Sequence, residues 1–243
     1  MAHLFVLFFV ALPLLRLLLA IAWPGLLKRL EGRRAERNLV SQFGTARADP
    51  RVDEIAARLL SAQKLQASFH VLSGPIKNAI TLPNGRIYIW EGLLEDTQDD
   101  EDMLAGVLAH ELGHLEHEHF LTRVQWAAMA RFALGIVGGG LVRQFLQNAV
   151  ATVITRGFSR AQELEADETA IGLMETAGYN PAGLVRLLES IARYSPPSGM
   201  LGSHPEPRTR AGRIRARLGM EAPKASAPLP PEGGTVIQFP GRG

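Results

Sequence analysis

His110, Glu111 and His114 have the residue types and the spacing of a hydrolytic metal site. The two histidines are four positions apart, and the glutamate directly follows the first. An α-helix turns once in about 3.6 residues, so positions i and i+4 lie on one face and both imidazoles can reach one Zn²⁺ ion. Glu111 then flanks the metal, where its carboxylate can accept a proton from water bound there. The spacing therefore predicts one zinc ion per chain and a general base for hydrolysis.

A catalytic zinc ion usually has three protein ligands and leaves a fourth position for water. The rest of the chain must therefore supply one more ligand. The candidates are His117, His119, Glu163, Glu165, Asp167 and His204. On a continuous helix His117 lies about 10 Å of rise beyond His110, and His119 points in another direction. Both are more typical of solvated or supporting histidines than of ligands.

The segment 158–177 offers better geometry for the third ligand. Glu163 and Asp167 are four positions apart and share a helical face. One carboxylate could bind the metal while the other accepts the free N–H of a ligand histidine. Glu165 lies about 200° round the helix from Glu163 and should face away. Periodicity alone is equally compatible with a solvated acidic face, so both interpretations stay open at this point.

Helices predominate among the elements that must position these residues. Apolar periodicity and terminal signals predict helices at 50–65, 158–177, 182–194 and 209–218, and a longer one that carries HELGH. Asp99 or Asp100 should cap this longer helix, which should run to about Arg123. Strands are predicted at 67–72, 78–82 and 86–90, with a hairpin turn at Pro83-Asn84-Gly85. We therefore predict an α+β protein, mostly helical with a small β-sheet.

An apolar N-terminal segment, residues 4–27, precedes these elements. About 20 apolar residues cross the hydrocarbon core of a bilayer, which favours an uncleaved membrane helix over a cleaved signal peptide or an in-plane helix. Basic residues follow at once, namely Lys28, Arg29, Arg33, Arg34 and Arg37. The positive-inside rule places such a flank in the cytoplasm. We expect a single-pass protein of a bacterial inner membrane, with its main domain on the cytoplasmic face or, alternatively, in the periplasm.

Composition divides the chain into four parts. Residues 1–27 are the membrane segment, 28–49 a charged connector, 50–219 the main domain and 220–243 a disordered tail rich in Pro, Gly and Ala. Within the domain, 124–155 is apolar and Gly-rich, which indicates a flap or a membrane-associated insert, with a second membrane segment or a buried helix pair as alternatives. The absence of cysteine excludes disulfides and thiolate ligands, and a net charge of +2 indicates no nucleic-acid partner.

Three further motifs follow the order of a known family along residues 50–218. They are Asn78-Ala79 with 82–89 (LPNGRIYI), the segment 159–167 (SRAQELEAD) and the segment 203–210 (SHPEPRTR). Together with HELGH they resemble the M48 metallopeptidases, which include the HtpX heat-shock proteases, the CAAX prenyl endopeptidases and the BepA-like periplasmic peptidases. Ile89 stands where valine is usual in that family, a mild exchange.

The resemblance implies roles for four residues and a zincin-type domain. Glu163 would be the third zinc ligand, and Asp167 would orient a zinc-binding histidine. His204 would lie near the metal, where it could stabilise an oxyanion or occupy the open position in a latent state. Arg210 would brace the loop that carries His204.

Together with the N-terminal segment, the motifs predict a membrane-anchored zinc metalloendopeptidase that cleaves unfolded or misfolded polypeptides. An extended substrate would pair with the strand of Arg86, Ile87, Tyr88 and Ile89 at a sheet edge. A membrane-bound chaperone or adaptor with a latent zinc site is the alternative from another class of function, and a zinc hydrolase of another substrate is a third. The sequence carries no sign of the oligomeric state.

Overall fold

The computed structural model describes residues 24–61, 63–121, 158–194 and 204–221. The predicted insert at 124–155 lies outside the described residues, as do nearly all of the predicted membrane segment and of the predicted tail. Among the helices of the described segments, none combines the length and the apolar character needed to cross a bilayer.

Seven helices and three strands have both of their ends within the described segments. The helices are α1 (Pro24–Phe43), α2 (Pro50–Leu60), α3 (Glu91–Asp96), α4 (Glu101–Glu116), α5 (Arg160–Ala177), α6 (Ala182–Tyr194) and α7 (Pro207–Arg217). The strands are β1 (Ser68–Leu72), β2 (Ala79–Thr81) and β3 (Arg86–Trp90). The prediction of a mostly helical chain with a small sheet is confirmed.

Helix α4 carries the HELGH motif at residues 110–114. A side chain caps its N-terminus, and a turn of the backbone ends it at its C-terminus. At the N-terminus the Asp100 carboxylate accepts a hydrogen bond from the Met103 amide, 2.9 Å away, and so caps the helix as predicted. The prediction that this helix continues to about Arg123 is wrong. The helix ends at Glu116, the chain turns through His117 and Glu118, and Glu118 has a φ of 53°. This left-handed residue redirects the backbone before a new helical segment begins at residue 119.

Helix α5 carries the acidic motif, and its ends follow the signals in the sequence. Ser159 is the N-cap, and Gln162 completes a capping box by accepting a hydrogen bond from the Ser159 amide. Gly178 ends the helix with a φ of 77°, a conformation that glycine adopts without steric cost.

The three strands form one sheet in the order β1-β3-β2. Strand β3 is parallel to β1, from Ser68 opposite Arg86 to Leu72 opposite Trp90, and antiparallel to β2. The predicted hairpin turn joins β2 to β3, and Gly85 takes a φ of 82° there. The prediction that Arg86, Ile87, Tyr88 and Ile89 form the substrate-binding edge is wrong. These residues belong to the central strand, whose backbone groups are already paired with both neighbours.

Helix α4 packs against both α5 and α6, and two of its glycines let these helices approach closely. A Cβ atom at Gly113 would lie 2.7 Å from the Ala166 carbonyl oxygen, and one at Gly106 would lie 3.0 Å from the Leu184 Cα. Glycine therefore lets α5 pass directly over the HELGH turn and α6 pass over the preceding turns. The close crossing of α4 and α5 brings the acidic motif to the two histidines.

Helix α1 packs on the outer face of the sheet. Its partly buried Ala35, Leu39 and Phe43 contact a cluster formed by Leu72, Leu82, Tyr88 and Trp90. The Phe43 and Trp90 rings meet edge to face with centroids 5.2 Å apart. The segment predicted to be a charged connector thus covers an apolar surface that the sheet would otherwise expose to water.

Candidate metal centre

Four buried side chains from three separate parts of the chain converge on one point. His110 and His114 come from α4, Glu163 comes from α5, and His204 lies just before α7. The ligand-type atoms of these four residues all lie within 4.8 Å of one another. Such a concentration of lone pairs, away from water, is stabilised when a cation binds among them.

The distances within this cluster fit a tetrahedral zinc site. His110 Nε2 lies 3.1 Å from His114 Nε2 and 3.1 Å from His204 Nδ1. Glu163 Oε1 lies 3.4 Å from His114 Nε2 and 3.2 Å from His204 Nδ1. Zinc–ligand bonds of about 2.0–2.1 Å place the corners of a tetrahedron about 3.3–3.4 Å apart. The donor set and its spacing therefore fit Zn²⁺ with two or three imidazoles and one carboxylate.

Electrostatics in the cluster favour a positive charge at its centre. Burial raises the pKa of Glu163, but His204, His110 and His114 outweigh burial and hold that pKa well below its usual range. Burial lowers the pKa of His114 far below its ordinary value, which keeps this imidazole neutral and able to bind a metal. Burial and Arg210 lower the pKa of His110, but hydrogen bonds to Asp167 and Glu163 raise it overall to about 9.

Asp167 and Arg210 hold the outer side of His110. Asp167 Oδ1 lies 3.0 Å from His110 Nδ1, and Arg210 donates two hydrogen bonds to the Asp167 carboxylate, at 2.7 and 2.6 Å. A further Arg210 nitrogen contacts Glu163. Burial raises the pKa of Asp167, but the hydrogen bonds from Arg210 and His110 prevail and lower it to about 2. Asp167 thus lies beside His110, whereas Arg210, which was expected to brace the loop of His204, binds the carboxylates of Asp167 and Glu163.

Glu111 is fully buried, and its two oxygens have different environments. Thr81 donates a hydrogen bond to Glu111 Oε2 at 2.6 Å and also approaches the Glu111 carbonyl oxygen at 3.0 Å. Glu111 Oε1 lies 3.4 Å from His204 Nε2, but no hydrogen bond to it forms within the described part of the chain. One oxygen is therefore held in place by β2, and the other can accept a proton.

Two residues of the site, Thr81 and Phe158, are not predicted from the sequence, and a third, His119, is predicted there only as a solvated or supporting histidine. The Phe158 ring stacks on His114 with centroids 3.8 Å apart, and His119 Nδ1 lies 2.8 Å from His114 Nδ1. A helix that continued past Glu116 would point His119 away from the cluster. The turn at 117–118, which no strong local signal announces, brings it back. Glu165 lies outside the metal cluster, as predicted, and contacts His119.

The buried HExxH helix, the carboxylate from helix α5 and the nearby base define a metallopeptidase of the zincin class. The chain belongs to peptidase family M48, whose match covers residues 46–218. The resemblance seen in the four motifs is thereby confirmed, and zinc is the metal that this family uses.

The chain is similar to several proteases of Escherichia coli K12. It is 31% identical to metalloprotease LoiP over 155 residues, which are 60% of this chain and 61% of LoiP. It is 32% identical to metalloprotease YcaL over 149 residues, 58% of each chain. It is 26% identical to the beta-barrel assembly-enhancing protease over 191 residues, 71% of this chain and 39% of that protein. The chain thus matches less than two thirds of the length of each of these relatives.

Proposed function

We propose that this protein is a membrane-anchored zinc metalloendopeptidase that hydrolyses peptide bonds in unfolded or misfolded polypeptides. The observation that carries the proposal is the position of Glu111. Its Oε1 atom lies 3.4 Å from Nε2 of His204, a member of the metal cluster, while Thr81 holds its other oxygen. A buried base beside a metal cluster is the arrangement that hydrolysis by an activated water requires.

His110, His114 and Glu163 would hold the zinc ion. When bound, zinc supplies Lewis acidity, which makes water more acidic and a carbonyl carbon more electrophilic. Glu111 Oε1 accepts the proton of the attacking water and then transfers it to the nitrogen of the departing amine. The hydrogen bond from Thr81 keeps the Glu111 carboxylate in one orientation through both transfers. The clamp of Asp167 and Arg210 keeps His110 directed at the metal.

His204 occupies the fourth corner of the cluster in this conformation. Its Nδ1 atom lies 3.1 Å from His110 Nε2, and its Nε2 atom lies 3.4 Å from Glu111 Oε1. It thus stands between the metal ligands and the base, where the attacking water must enter. We interpret this as a latent conformation, from which His204 withdraws to let water and substrate bind. In the withdrawn position it can donate a hydrogen bond to the oxyanion.

Strand β2 is the edge on which we place the substrate. Helix α4 lies beside β2, and Thr81 of β2 touches Glu111 directly. Among the described residues β2 pairs with a strand only on its β3 side. An extended polypeptide that adds to the other side would pass the base and the metal ligands. Backbone pairing recognises few side chains, which suits cleavage of many unfolded sequences.

The membrane attachment rests on the sequence. The apolar segment 4–27 is long enough to cross a bilayer, and the basic residues after it favour the cytoplasmic face of a bacterial inner membrane. The periplasmic side is the alternative. Reporter fusions at the C-terminus decide between them, because a reporter active only in the periplasm would contradict the cytoplasmic placement.

Casein cleavage and zinc content, measured together on three variants, test the proposed mechanism. Glu111→Gln should retain one zinc ion per chain and lose activity by about 10²–10⁴-fold, because the proton acceptor is gone. Glu116→Gln is the matched control, since Glu116 lies exposed on the same helix, and it should keep full activity. His204→Ala should raise the rate if His204 blocks the site, whereas a lower rate would show that its oxyanion contact dominates. Full proteolysis by Glu111→Gln would refute the mechanism.

A chaperone or adaptor with a latent zinc site is the second candidate, and the position of His204 favours it. A site whose fourth corner is filled by a side chain could serve structure alone. This candidate predicts that the wild-type protein and His204→Ala both bind zinc and cleave no polypeptide. Cleavage by either one excludes it.

A further inference from the structure

His119 is a buried histidine that the mechanism above does not use. Its exposed fraction is 4%, and both of its ring nitrogens have partners. His119 Nδ1 lies 2.8 Å from His114 Nδ1, and His119 Nε2 lies 3.1 Å from Glu165 Oε2. A continuous chain of side chains therefore runs from the surface carboxylate of Glu165 to a ligand of the metal cluster.

The direction of each hydrogen bond in this chain follows from the chemistry of its ends. An ionised carboxylate only accepts, so His119 Nε2 must carry the proton and donate it to Glu165. A neutral His119 then has its lone pair on Nδ1, and this atom accepts a hydrogen bond from the Nδ1–H group of His114. His114 is left with its lone pair on Nε2, the atom that points at His110, Glu163 and His204. One carboxylate thus fixes the tautomers of two imidazoles.

We propose that His119, supported by Glu165, is a positioning residue that holds His114 in the tautomer and ring orientation needed for metal binding. The proposal rests on the metal site described above, and it decides between the two roles, solvated or supporting, that the sequence left open for His119. A ligand histidine whose outer N–H has a defined acceptor binds its metal more tightly, because the ring need not be ordered when the metal arrives.

The local fold is built to make this contact. On a continuous helix, residue i+5 lies about 140° round the axis from residue i, so His119 would face away from His114. Helix α4 instead ends at Glu116, and Glu118, with a φ of 53°, turns the chain so that His119 returns to His114. Phe158 stacks on the other side of the His114 ring, with an interplanar angle of 21°. The ring is thereby restrained by a hydrogen bond and by packing.

His117 provides a matched control within the same turn. It also lies near Glu165, with its Nδ1 atom 3.6 Å from a carboxylate oxygen, and its Nε2 atom pairs with Thr169 at 2.8 Å. Its side chain is partly exposed, and within the described segments it makes no hydrogen bond to the metal cluster. Replacing His117 by leucine therefore changes the same loop, the same carboxylate and the contact with the His119 ring, 5.4 Å away between centroids, while the hydrogen bond between His119 and His114 stays.

Zinc affinity of the purified full-length protein, measured by competition with a chromophoric chelator, tests the proposal without any substrate. His119→Leu should lower the affinity about 10–100-fold, the usual cost of losing a partner of a ligand histidine. His119→Gln should recover most of this loss, because its amide oxygen can accept from His114 Nδ1–H. His117→Leu should bind zinc like the wild type. Glu165→Ala should cause a smaller loss than His119→Leu, because the 55% exposed carboxylate can be replaced by water.

Imidazole ¹⁵N spectra of the zinc-loaded protein give a second measurement, which a merely structural role would not change. The wild type and His119→Gln should show His114 with a protonated, hydrogen-bonded Nδ1 and a metal-bound Nε2. In His119→Leu the hydrogen-bonded Nδ1 signal should shift toward that of an unbonded N–H. Unchanged zinc affinity in His119→Leu, or equal losses in the leucine and glutamine variants, would overturn the proposal. Since these are zinc measurements, a protein that binds zinc but cleaves nothing would refute the proposed function alone.

Discussion

His110 and His114 stand one turn apart on the same helix, yet different parts of the molecule hold their outer nitrogens. The outer nitrogen of His110 contacts the carboxylate of Asp167 on α5, and Arg210 of α7 donates two hydrogen bonds to that carboxylate. His114 meets His119, five residues further along the chain, and Phe158. The first support is charged, fully buried and assembled from distant segments. The second support is a neutral imidazole held largely by local sequence.

The two supports should respond differently when one of their groups is removed. The charges around His110 are stable only as a set, because removing one leaves the others buried without a partner. The support of His114 ends at Glu165, where water can substitute for a missing group. Disturbing the docking of α7 should therefore release His110 while His114 stays in place.

The largest expected effect follows from removing the charge on Arg210. Arg210→Met removes the guanidinium that pairs with the buried carboxylates of Asp167 and Glu163, and it should cost about 3–5 kcal/mol of unfolding free energy in the metal-free protein. His119→Leu should cost less, about 1–3 kcal/mol, since it leaves only one buried N–H unpaired.

Denaturant unfolding in the presence of a chelator measures both values. Arg213→Met is the control, since Arg213 lies exposed on the same helix, and its effect should stay within about 0.5 kcal/mol. Equal losses of unfolding free energy in Arg210→Met and His119→Leu would show that the two supports contribute equally to stability.

The next effect concerns the metal and not the fold. Asp167→Asn keeps the shape of the side chain but removes the negative charge that His110 Nδ1 faces, and it should lower zinc affinity about 10–100-fold. Chelator competition measures it beside Glu168→Gln, which alters only a solvent-exposed ion pair with Arg217. If Asp167→Asn binds zinc as tightly as the wild type, the charged support of His110 has no role in metal binding.

The smallest expected loss of stability should affect the support of His110 and the support of His114 equally. Asp100→Ala removes the N-cap of the helix that carries both histidines and should cost about 0.5–2 kcal/mol of unfolding free energy. Asp99→Ala, at the exposed position before it, should cost almost nothing. Because the cap lies at the far end of α4, zinc affinity should stay at the wild-type value. A large loss of zinc affinity would show that the helix transmits its stability to the site.

This contribution of Asp100 should depend on pH in a defined direction. Hydrogen bonds from Arg186 prevail over burial and, with that from the Met103 amide, lower the pKa of Asp100 in the folded protein. A lowered folded-state pKa means that the stabilisation is complete above the unfolded-state pKa, near 4, and is lost as pH falls through the folded-state value. The difference between the wild type and Asp100→Ala should therefore shrink below about pH 4. A constant difference down to pH 2 would contradict this.

Features with local causes could be predicted from the sequence. The turn at Pro83-Asn84-Gly85 and the helix Ala182–Tyr194 follow from turn residues and apolar periodicity. The facing of His110 and His114 follows from helical geometry alone. Glu163 could be proposed because its motif resembles that of a family, whereas periodicity left a solvated acidic face equally open.

Features that depend on distant pairing could not be predicted in this way. Strand β3 has the clearest strand signal, but only the parallel pairing of β1 on its second side makes it central and moves the free edge to β2. Thr81 lies on β2, and its contact with Glu111 likewise depends on how the sheet packs against α4. The side chains that cover the outer face of the sheet come from α1, whose charged sequence gave no sign of that contact.

The sequence by itself indicated the chemistry of this protein. Two imidazoles and a base have a spacing that the geometry of one helix converts into proximity, and a family resemblance added Glu163 as the expected carboxylate ligand. Only the tertiary structure decided how that chemistry is supported. The close passage of α5 at Gly113 and the hydrogen bonds from α7 to Asp167 join residues that are distant along the chain. The turn at 117–118 returns His119 to His114, five residues away, against the direction that a continuous helix would give it. Spacing along one helix is fixed by the backbone, whereas contacts between elements are fixed by packing and by the pairing of buried charges.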